Sequence, residues 1–233
     1  MQGQNLLTPP KREGFNMSDK VNIWSTKFGD KYTDRNSPDV AKRAKWFNKV
    51  LPKYIKSVVE VGCNKGHNLE AIASINGCLV RGEEINDKAA NIARTKGLDV
   101  EDYKNLFKSD LVLFSGVLIH INPLDLDKMF DRAIESAYVD YSSFNADKFQ
   151  AKYILMIENK TDSIETVNSR WYKNAMWTMD FGKEFLDRYE NWECVKKGWV
   201  NGKKPKTLDL TAPLTNTKTG FHESDYFWLL KRT

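Results

Sequence analysis

Short β-branched runs alternate with amphipathic segments from residue 57 onward, and this alternation constrains the fold more than any other feature of the chain. The run S-V-V-E-V at 57–61 is apolar and β-branched, which is typical of a buried parallel strand. A predicted helix at 66–75, a second strand at 78–82 and a second helix at 86–96 follow it. The pattern predicts an α/β fold with a doubly wound, mostly parallel sheet and helices on both faces.

Five later runs complete a predicted sheet of seven strands. They lie at 98–101, 110–115, 152–158, 192–200 and 226–231. Further helices are predicted at 41–50, 123–137 and 182–189. At 233 residues the chain fits a single domain, predicted at 23–233, in which segment 23–54 forms an N-terminal lid and helix. Residues 1–22 mix proline, glycine and polar residues without periodicity, so we expect a flexible N-terminal leader there.

Composition narrows the function classes. The chain has no run of about 18 apolar residues and no apolar N-terminal segment, so neither a transmembrane span nor secretion is predicted. The three cysteines form no C-x-x-C pair and the three histidines have no zinc spacing, so we expect no metal, and free thiols in a reducing cytoplasm. A net charge of +5 leaves both acidic small molecules and nucleic acid open as partners.

The ten residues V-E-V-G-C-N-K-G-H-N at 59–68 form a glycine-containing loop between the first strand and its helix. Gly62 permits a tight turn and Gly66 allows close approach to a ligand. Asn64 stands where a dinucleotide loop has its middle glycine, and its side chain hinders a pyrophosphate. An acid such as Glu60 suits the cationic end of an amino-acid-like ligand. The cofactor residues predicted in this loop are Glu60, Gly62, Cys63, Asn64, Gly66 and Asn68.

A carboxylate follows the second strand about twenty residues further on, in G-E-E-I-N at 82–86. An acid at this position accepts hydrogen bonds from both hydroxyls of a ribose, and Glu84 fits better than Glu83. A ribose without a pyrophosphate favours S-adenosyl-L-methionine over NAD as the cofactor. The remaining predicted cofactor contacts are Ile85 beside Glu84, Asp102 or Tyr103 for the adenine, and Ser115 and Gly116 at the end of the fourth strand.

Several motifs stand in order along the chain. They are W-S-T-K-F-G-D-K-Y-T-D-R-N, V-E-V-G-C-N-K-G-H-N-L, E-I-N-D-K-A, G-V-L-I-H-I-N-P, D-F-G-K-E-F-L-D-R-Y and Y-F-W-L-L-K-R. This set resembles class I S-adenosylmethionine-dependent methyltransferases, and most of all the methylases associated with pseudaminic acid biosynthesis, in which an asparagine within the glycine loop is the usual form. The resemblance covers most of the chain from Trp24 to Arg232.

The resemblance implies a Rossmann-like methyltransferase fold and transfer of a methyl group to O or N of a small polar acceptor, such as a sugar, a nonulosonic acid or a nucleotide-sugar. The chain departs from the family pattern in two predicted inserted loops, at 139–150 and 201–223, and in the segment after the fifth strand. These regions would face the acceptor, so its identity stays open at this stage.

His120, in G-V-L-I-H-I-N-P just after the fourth strand, is the candidate general base, because ligands bind at the carboxyl edge of such a sheet. The alternative is a histidine that only packs at the corner between strand and helix. Two further groups are predicted to contact the acceptor. The first group is Trp24, Tyr32 and Arg35 in the lid, and the alternative is that this segment only packs across the edge of the sheet. The second group is Glu158, Asn159 and Arg170 after the fifth strand, and the alternative is an ordinary surface loop.

Three other functions compete with this hypothesis. Enzymes that methylate the exocyclic amines of bases usually carry an (Asp/Asn/Ser)-Pro-Pro-aromatic tetrad after the fourth strand, where this sequence has S-G-V-L at 115–118. The Pro-Cys nucleophile of cytosine C5 methyltransferases is also absent from the sequence. Nucleic-acid methylation is therefore not favoured. A non-catalytic homologue that only binds the cofactor is also compatible with the motifs. A dehydrogenase is disfavoured by the missing middle glycine.

Overall fold

A seven-stranded sheet forms the centre of the structure, a computed structural model that describes residues 23–101, 109–136, 153–167, 176–206 and 217–233. The strands are β1 (Ser57–Val61), β2 (Leu79–Glu83), β3 (Asp99–Glu101), β4 (Leu111–Ser115), β5 (Tyr153–Asn159), β6 (Glu165–Val167), β7 (Met176–Thr178), β8 (Trp192–Trp199) and β9 (Asp225–Arg232). Strands β6 and β7 pair with each other as a separate antiparallel hairpin, which the sequence did not indicate.

The strand order of the sheet is β3-β2-β1-β4-β5-β9-β8. Strands β1 to β5 are parallel, whereas β9 runs antiparallel to both of its neighbours, β5 and β8. The dinucleotide-binding fold has the order 3-2-1-4-5-6. Here the last strand of the chain lies between the fifth strand and β8. The prediction of a mostly parallel, doubly wound seven-stranded sheet is confirmed.

Helices pack on both faces of the sheet. They are α1 (Lys27–Arg35), α2 (Val40–Val50), α3 (His67–Asn76), α4 (Asp87–Thr95), α5 (Leu126–Ser136) and α6 (Phe181–Leu186), with short 3-10 turns at Leu118–His120 and Pro123–Asp125. Alternate residues of each strand face opposite sides, so Val58 packs with α2 and α3 while Val59 packs with α5 and α6. Of the helices in the described part of the chain, none is long and apolar enough to cross a lipid bilayer.

Helix α1 is the main local difference from the sequence prediction, which expected a lid in this region without assigning a helix. Thr26 caps the helix, and its hydroxyl accepts a hydrogen bond from the Phe28 amide at 3.3 Å. Gly29 and Thr33 are the buried residues of the helix, so its narrow contact face carries almost no apolar periodicity. The leader at 1–22, the loop at 139–150 and part of the loop at 201–223 lie outside the described residues.

The carboxyl ends of β1, β2, β4 and β5 meet at one edge of the sheet, as they do in any parallel sheet. Because β9 is antiparallel, it begins at this same edge, where Asp225 pairs with Asn159. Helix α1 and the turn at Leu118–His120 lie at the same edge, in contact with the loop and helix that follow β1 and β2. The edge therefore gathers nearly all the residues that the sequence singled out.

Candidate functional site

The loop after β1 depends on residues that tolerate left-handed backbone. Gly62, Asn64 and Gly66 have φ angles of 69°, 49° and 75°, and asparagine is one of the few residues with a side chain that adopts this region readily. A Cβ atom at Gly62 would lie 2.7 Å from Val117 Cγ2, and one at Gly66 would overlap the Leu98 side chain. Asn64 therefore fits the loop conformation and adds a polar side chain that a glycine would lack.

The backbone donors of the loop are already used within the protein. The Gly62 and Cys63 amides donate to the Glu83 carbonyl at 2.8 and 3.0 Å. The Asn64 amide donates to Glu84 Oε2 at 2.7 Å. A loop that binds a phosphate instead directs such amides at the ligand. These three amides are therefore not available to a pyrophosphate.

Hydrogen-bond acceptors, by contrast, remain without partners around this loop. Glu60 Oε2, Asn64 Oδ1 and Glu83 Oε1 are buried atoms that receive no hydrogen bond. Buried polar atoms in proteins almost always have a partner, so Glu60 Oε2 and Asn64 Oδ1, four residues apart in the chain, indicate a ligand with hydrogen-bonding groups at the loop. Glu83 Oε1 lies on the opposite face of the sheet, beside Arg132. An ammonium group and ribose hydroxyls are donors, whereas a phosphate brings only acceptors. The loop therefore favours a ligand with an ammonium group and ribose hydroxyls, such as S-adenosylmethionine, over a pyrophosphate at the same position.

Glu60, the acid near the end of β1, is buried, at 2% exposure. Asn68 Nδ2 donates to its Oε1 at 2.6 Å, and Arg43 donates to Asn68 Oδ1 at 2.7 Å. Burial raises the pKa of Glu60 to about 8, although the hydrogen bond from Asn68 and the charge of Arg43 oppose the rise. Arg43 also donates to the Gly220 carbonyl at 3.0 Å. The sequence did not indicate a role for Arg43, because basic residues in a helix are usually exposed at the surface.

Glu84 lies just beyond β2, as predicted, with a carboxylate that is bonded at both oxygens. Oε2 accepts the Asn64 amide and Oε1 accepts the Asn86 amide, each at 2.7 Å. Burial raises its pKa, against the lowering effect of these bonds. Each carboxylate oxygen can accept a further hydrogen bond, so both remain able to receive a ribose hydroxyl. Glu83 instead forms an ion pair with Arg132 at 2.7 Å, which makes it the less suitable ribose ligand.

The other predicted cofactor residues fall into three groups. Ile85, Ser115 and Gly116 lie at the same edge, and a Cβ atom added to Gly116 would meet nothing within 4 Å, so the backbone there borders open space. Cys63 is buried against Gly82, and burial raises its thiol pKa well above the usual range. Asp102 and Tyr103 lie outside the described residues, as does Arg170, which was predicted to contact the acceptor.

Helix α1 and the residues before it cover the loop. Asn64 Nδ2 donates to the Thr33 hydroxyl at 3.1 Å, and Asn86 Nδ2 donates to the Trp24 carbonyl at 2.9 Å. The Trp24 ring lies edge-on to the His120 ring, with 4.6 Å between their centroids. This segment therefore contacts the glycine loop, the helix after β2 and the turn after β4, which are the three parts of the candidate cofactor site.

Tyr32 and Arg35 occupy different positions on α1. Tyr32 is half-buried and lies edge-on to Trp24 at 5.2 Å, and burial raises its pKa. Arg35 is exposed, with its guanidinium 5.3 Å from the centre of the Tyr32 ring. The structure thus brings Trp24 and Tyr32 to the site and leaves Arg35 at its rim.

Glu158 holds the turn that carries His120. Its Oε1 accepts hydrogen bonds from the Val117 and Leu118 amides at 2.9 and 3.0 Å, and its Oε2 accepts one from the Ile119 amide at 3.4 Å. Burial raises the pKa of this fully buried carboxyl to about 8, while the three amides act in the opposite direction. Glu158 thus fixes the position of the half-buried His120 through its turn.

Asp225 is an acid at the same edge that sequence analysis missed. Its Oδ1 accepts a hydrogen bond from Asn159 Nδ2 at 3.1 Å, and its Oδ2 accepts one from the His222 amide at 2.8 Å. Burial raises its pKa to about 6. Asn159 Nδ2 also donates to the Ser224 hydroxyl at 2.8 Å. The only signal in the sequence was an acid before a closing strand, and the antiparallel direction of that strand decides where the acid lies.

Known structures share this architecture. The mitomycin 7-O-methyltransferase MmcR has a TM-score of 0.60 and 12% identity, over 95% of this chain and 62% of that one. A SAM-dependent methyltransferase from Archaeoglobus fulgidus has a TM-score of 0.57 and 15% identity, over 88% of this chain and 99% of that one. Magnesium protoporphyrin IX methyltransferase from Synechocystis PCC 6803, with bound SAH, has a TM-score of 0.60 and 12% identity, over 94% of this chain and 100% of that one.

The chain therefore has the Rossmann-like fold that these methyltransferases share. It spans less than two thirds of the length of MmcR, at 62%. No protein-family model matches the sequence, and no curated protein sequence matches it either. The likeness to the pseudaminic acid-associated methylases thus remains a prediction, and the named acceptors of the similar structures differ from one another.

Proposed function

We propose that this protein is an S-adenosyl-L-methionine-dependent methyltransferase that moves a methyl group to O or N of a small polar acceptor, such as a sugar, a nonulosonic acid or a nucleotide-sugar. The observation that carries the proposal is the polarity around the loop after β1, where three loop amides are paired within the protein and the buried atoms Glu60 Oε2 and Asn64 Oδ1 have no partner. The methyltransferase fold of the chain supports the same cofactor. The free thiols of all three cysteines support a cytoplasmic setting.

Glu60 and Asn64 hold the amino-acid end of the cofactor in this proposal, and Glu84 holds the ribose hydroxyls. When bound, S-adenosylmethionine supplies an activated methyl group on a sulfonium. The protein therefore has to orient the acceptor, exclude water and remove a proton where the acceptor is a hydroxyl. Trp24 and Tyr32, which close over the loop, exclude water from this edge.

His120 accepts the proton of a hydroxyl acceptor. Its turn follows β4 directly, it is half-buried, and its ring is oriented by Trp24 at 4.6 Å and by the turn that Glu158 holds. A positioned base of this kind contributes about 10²- to 10⁴-fold to the rate. An amine acceptor in its neutral form needs no such base, so the effect of His120→Ala on turnover separates the two classes of acceptor.

Calorimetric titration with S-adenosylmethionine, S-adenosylhomocysteine and NAD tests the cofactor. We expect both sulfur compounds to bind and NAD not to bind. Glu84→Ala should weaken both sulfur ligands by roughly tenfold or more, since a hydrogen bond to a charged group contributes about 1.5–3 kcal/mol. Glu193→Ala, an exposed carboxylate on β8, is the matched control and should leave the affinity unchanged.

Tight NAD binding without either sulfur compound would contradict the proposal. A screen of sugars, nonulosonic acids and nucleotide-sugars with a labelled methyl donor then identifies the acceptor. Full turnover of a hydroxyl acceptor by His120→Ala would show that the histidine only packs at its corner.

A further inference from the structure

A second cavity lies at the carboxyl edge of the sheet, beyond the candidate cofactor site. Its volume is about 480 Å³, within the range of roughly 300–1,000 Å³ that is typical of small-molecule sites. Four segments line it: the residues after β5, the end of β8, the start of the loop that connects β8 with β9, and the start of β9. The lining residues used below are Lys160, Asp162, Trp199, Lys204, Lys206 and Tyr226.

Two aromatic rings form one wall of this cavity. Trp199 and Tyr226 pair edge to face, with 5.0 Å between centroids and 88° between planes, and both are half-buried. The pair lies on neighbouring strands, since Trp199 is opposite Tyr226 in the β8–β9 register. Aromatic rings that are held by a sheet and remain partly accessible can stack against a planar or ring-shaped ligand.

Some of the charged side chains that line the cavity form ion pairs and others do not. Lys160 forms ion pairs with Asp162 at 2.7 Å and with Asp180 at 3.3 Å, so its charge is balanced. Lys204 and Lys206 form no hydrogen bond or ion pair with another residue of the described ranges. The one other acid of the lining, Glu165, accepts a hydrogen bond from the Ser163 hydroxyl at 3.2 Å. The charge of Lys204 also helps to lower the pKa of the exposed Asp162, behind the larger effect of Lys160. Two lysines without an ion pair in the described residues, beside an aromatic wall, fit an anionic group attached to a ring.

The cavity lies on the side of the sheet that carries the His120 turn. Lys160 follows β5 two residues after Glu158, the carboxyl that holds this turn. Tyr226 packs against the same hydrophobic cluster as Val117, which begins the turn. In the sheet, β5 is one strand from β4 and β9 is two strands from it. With strands roughly 4.8 Å apart, Tyr226 on β9 lies about 10 Å from the end of β4, and Trp199 on β8, three strands away, lies about 14 Å from it.

We propose that this cavity binds the nucleotide part of a nucleotide-sugar acceptor, with the base against Trp199 and Tyr226 and the phosphates at Lys204 and Lys206. This inference rests on the proposed methyl transfer and specifies its acceptor. An acceptor that reacts beside His120 and is also held about 10 to 14 Å away has to be longer than a single sugar ring. Binding of this remote part contributes to holding the reacting atom in place.

A binding titration of the protein, first saturated with S-adenosylhomocysteine, tests the inference. The compounds to be titrated are uridine diphosphate, cytidine monophosphate, pyrophosphate and N-acetylneuraminate. We expect at least one nucleoside phosphate to bind more tightly than pyrophosphate or the sugar acid. Trp199→Ala should weaken it by at least about fivefold, because a base stacked on an aromatic ring contributes about 1–3 kcal/mol. The double variant Lys204→Ala/Lys206→Ala should weaken it too, and should reduce its salt dependence.

Lys203→Ala is the matched control, because Lys203 is exposed, adjacent in sequence and not part of the cavity lining. All variants should bind S-adenosylhomocysteine as the unmodified protein does, which also shows that they fold. The inference is overturned if no nucleoside phosphate binds, if pyrophosphate or the sugar acid binds as tightly, or if the lysine variants and Lys203→Ala behave alike.

The cofactor titration separates this failure from that of the proposed function. If S-adenosylhomocysteine binds and nucleoside phosphates do not, the methyltransferase proposal stands and the nucleotide site is wrong. If nucleoside phosphates bind and S-adenosylhomocysteine does not, the cavity is not an acceptor site and this inference fails with the proposed function.

Discussion

Replacing Glu60 with glutamine tests how the candidate site holds a buried acid. Glu60 is 2% exposed, and burial raises its pKa from 4.5 to about 8. A carboxyl whose pKa is raised by folding stabilises the folded state fully below its unfolded pKa, and this contribution is lost as the pH rises through the folded pKa. The change from 4.5 to about 8 corresponds to about 5 kcal/mol at 1.36 kcal/mol for each pH unit.

Glutamine has nearly the same shape, can still accept the hydrogen bond from Asn68, and carries no charge at any pH. The free energy of unfolding of Glu60→Gln, relative to that of the unmodified protein, should therefore rise by roughly 1.4 kcal/mol per pH unit between about pH 5 and 8 and then level off. Urea denaturation followed by tryptophan fluorescence at several pH values measures this difference. Glu193→Gln, an exposed acid on β8, is the control and should show no such slope.

A difference that stays constant from about pH 5 to 8 would refute the reasoning. It would mean that Glu60 is already charged at neutral pH, with Arg43 and Asn68 compensating for its burial. The loop would then present a permanent negative charge to its ligand, and not a carboxyl that ionises when a cationic ligand arrives.

Two further substitutions test the packing around the site. Thr33→Val removes the hydroxyl that accepts the 3.1 Å hydrogen bond from Asn64. It should weaken S-adenosylhomocysteine binding several-fold, measured by calorimetry, and speed amide hydrogen exchange in α1. Unchanged exchange would show that the bond does not hold α1 in place. Gly182→Ala places a Cβ atom into the indole of Trp228 and should lower the free energy of unfolding, measured with urea, by about 1–3 kcal/mol. Gly198→Ala is the control, because its Cβ atom would lie 3.5 Å from the nearest ring atom, and it should change the free energy of unfolding little. Equal effects of the two substitutions would contradict the packing argument.

The first βαβ unit shows what local sequence can predict. The strand, the glycine loop, the helix and the acid after the second strand all fall between residues 57 and 84, and the structure has them within one or two residues of the predicted bounds. Neighbours in this unit are close in the chain, so β-branched runs and glycine positions contain most of the information. The helix α1 was missed because its contact face consists of Gly29 and Thr33, which leave no apolar period.

Contacts between distant segments were not predictable in this way. Arg43 and Gly220 are 177 positions apart, and the hydrogen bond between them depends on where α2 and the loop before β9 meet. The three amides that Glu158 accepts lie 39 to 41 positions earlier, in the turn after the neighbouring strand. From the sequence, Glu158 was predicted to contact the acceptor, whereas in the structure its carboxylate is fully buried.

The sequence by itself determined the class of sheet and the type of cofactor loop, since both depend on patterns that repeat within a few residues. Tertiary structure decided which acids are buried, which amides are used and where a second cavity opens between Lys160, Trp199 and Lys204. The physical reason is the antiparallel insertion of β9 between β5 and β8, which brings Asp225 and Tyr226 to the carboxyl edge. No local pattern specifies the neighbour of a strand, so the arrangement of residues beyond β5 at this edge exists only in the folded chain.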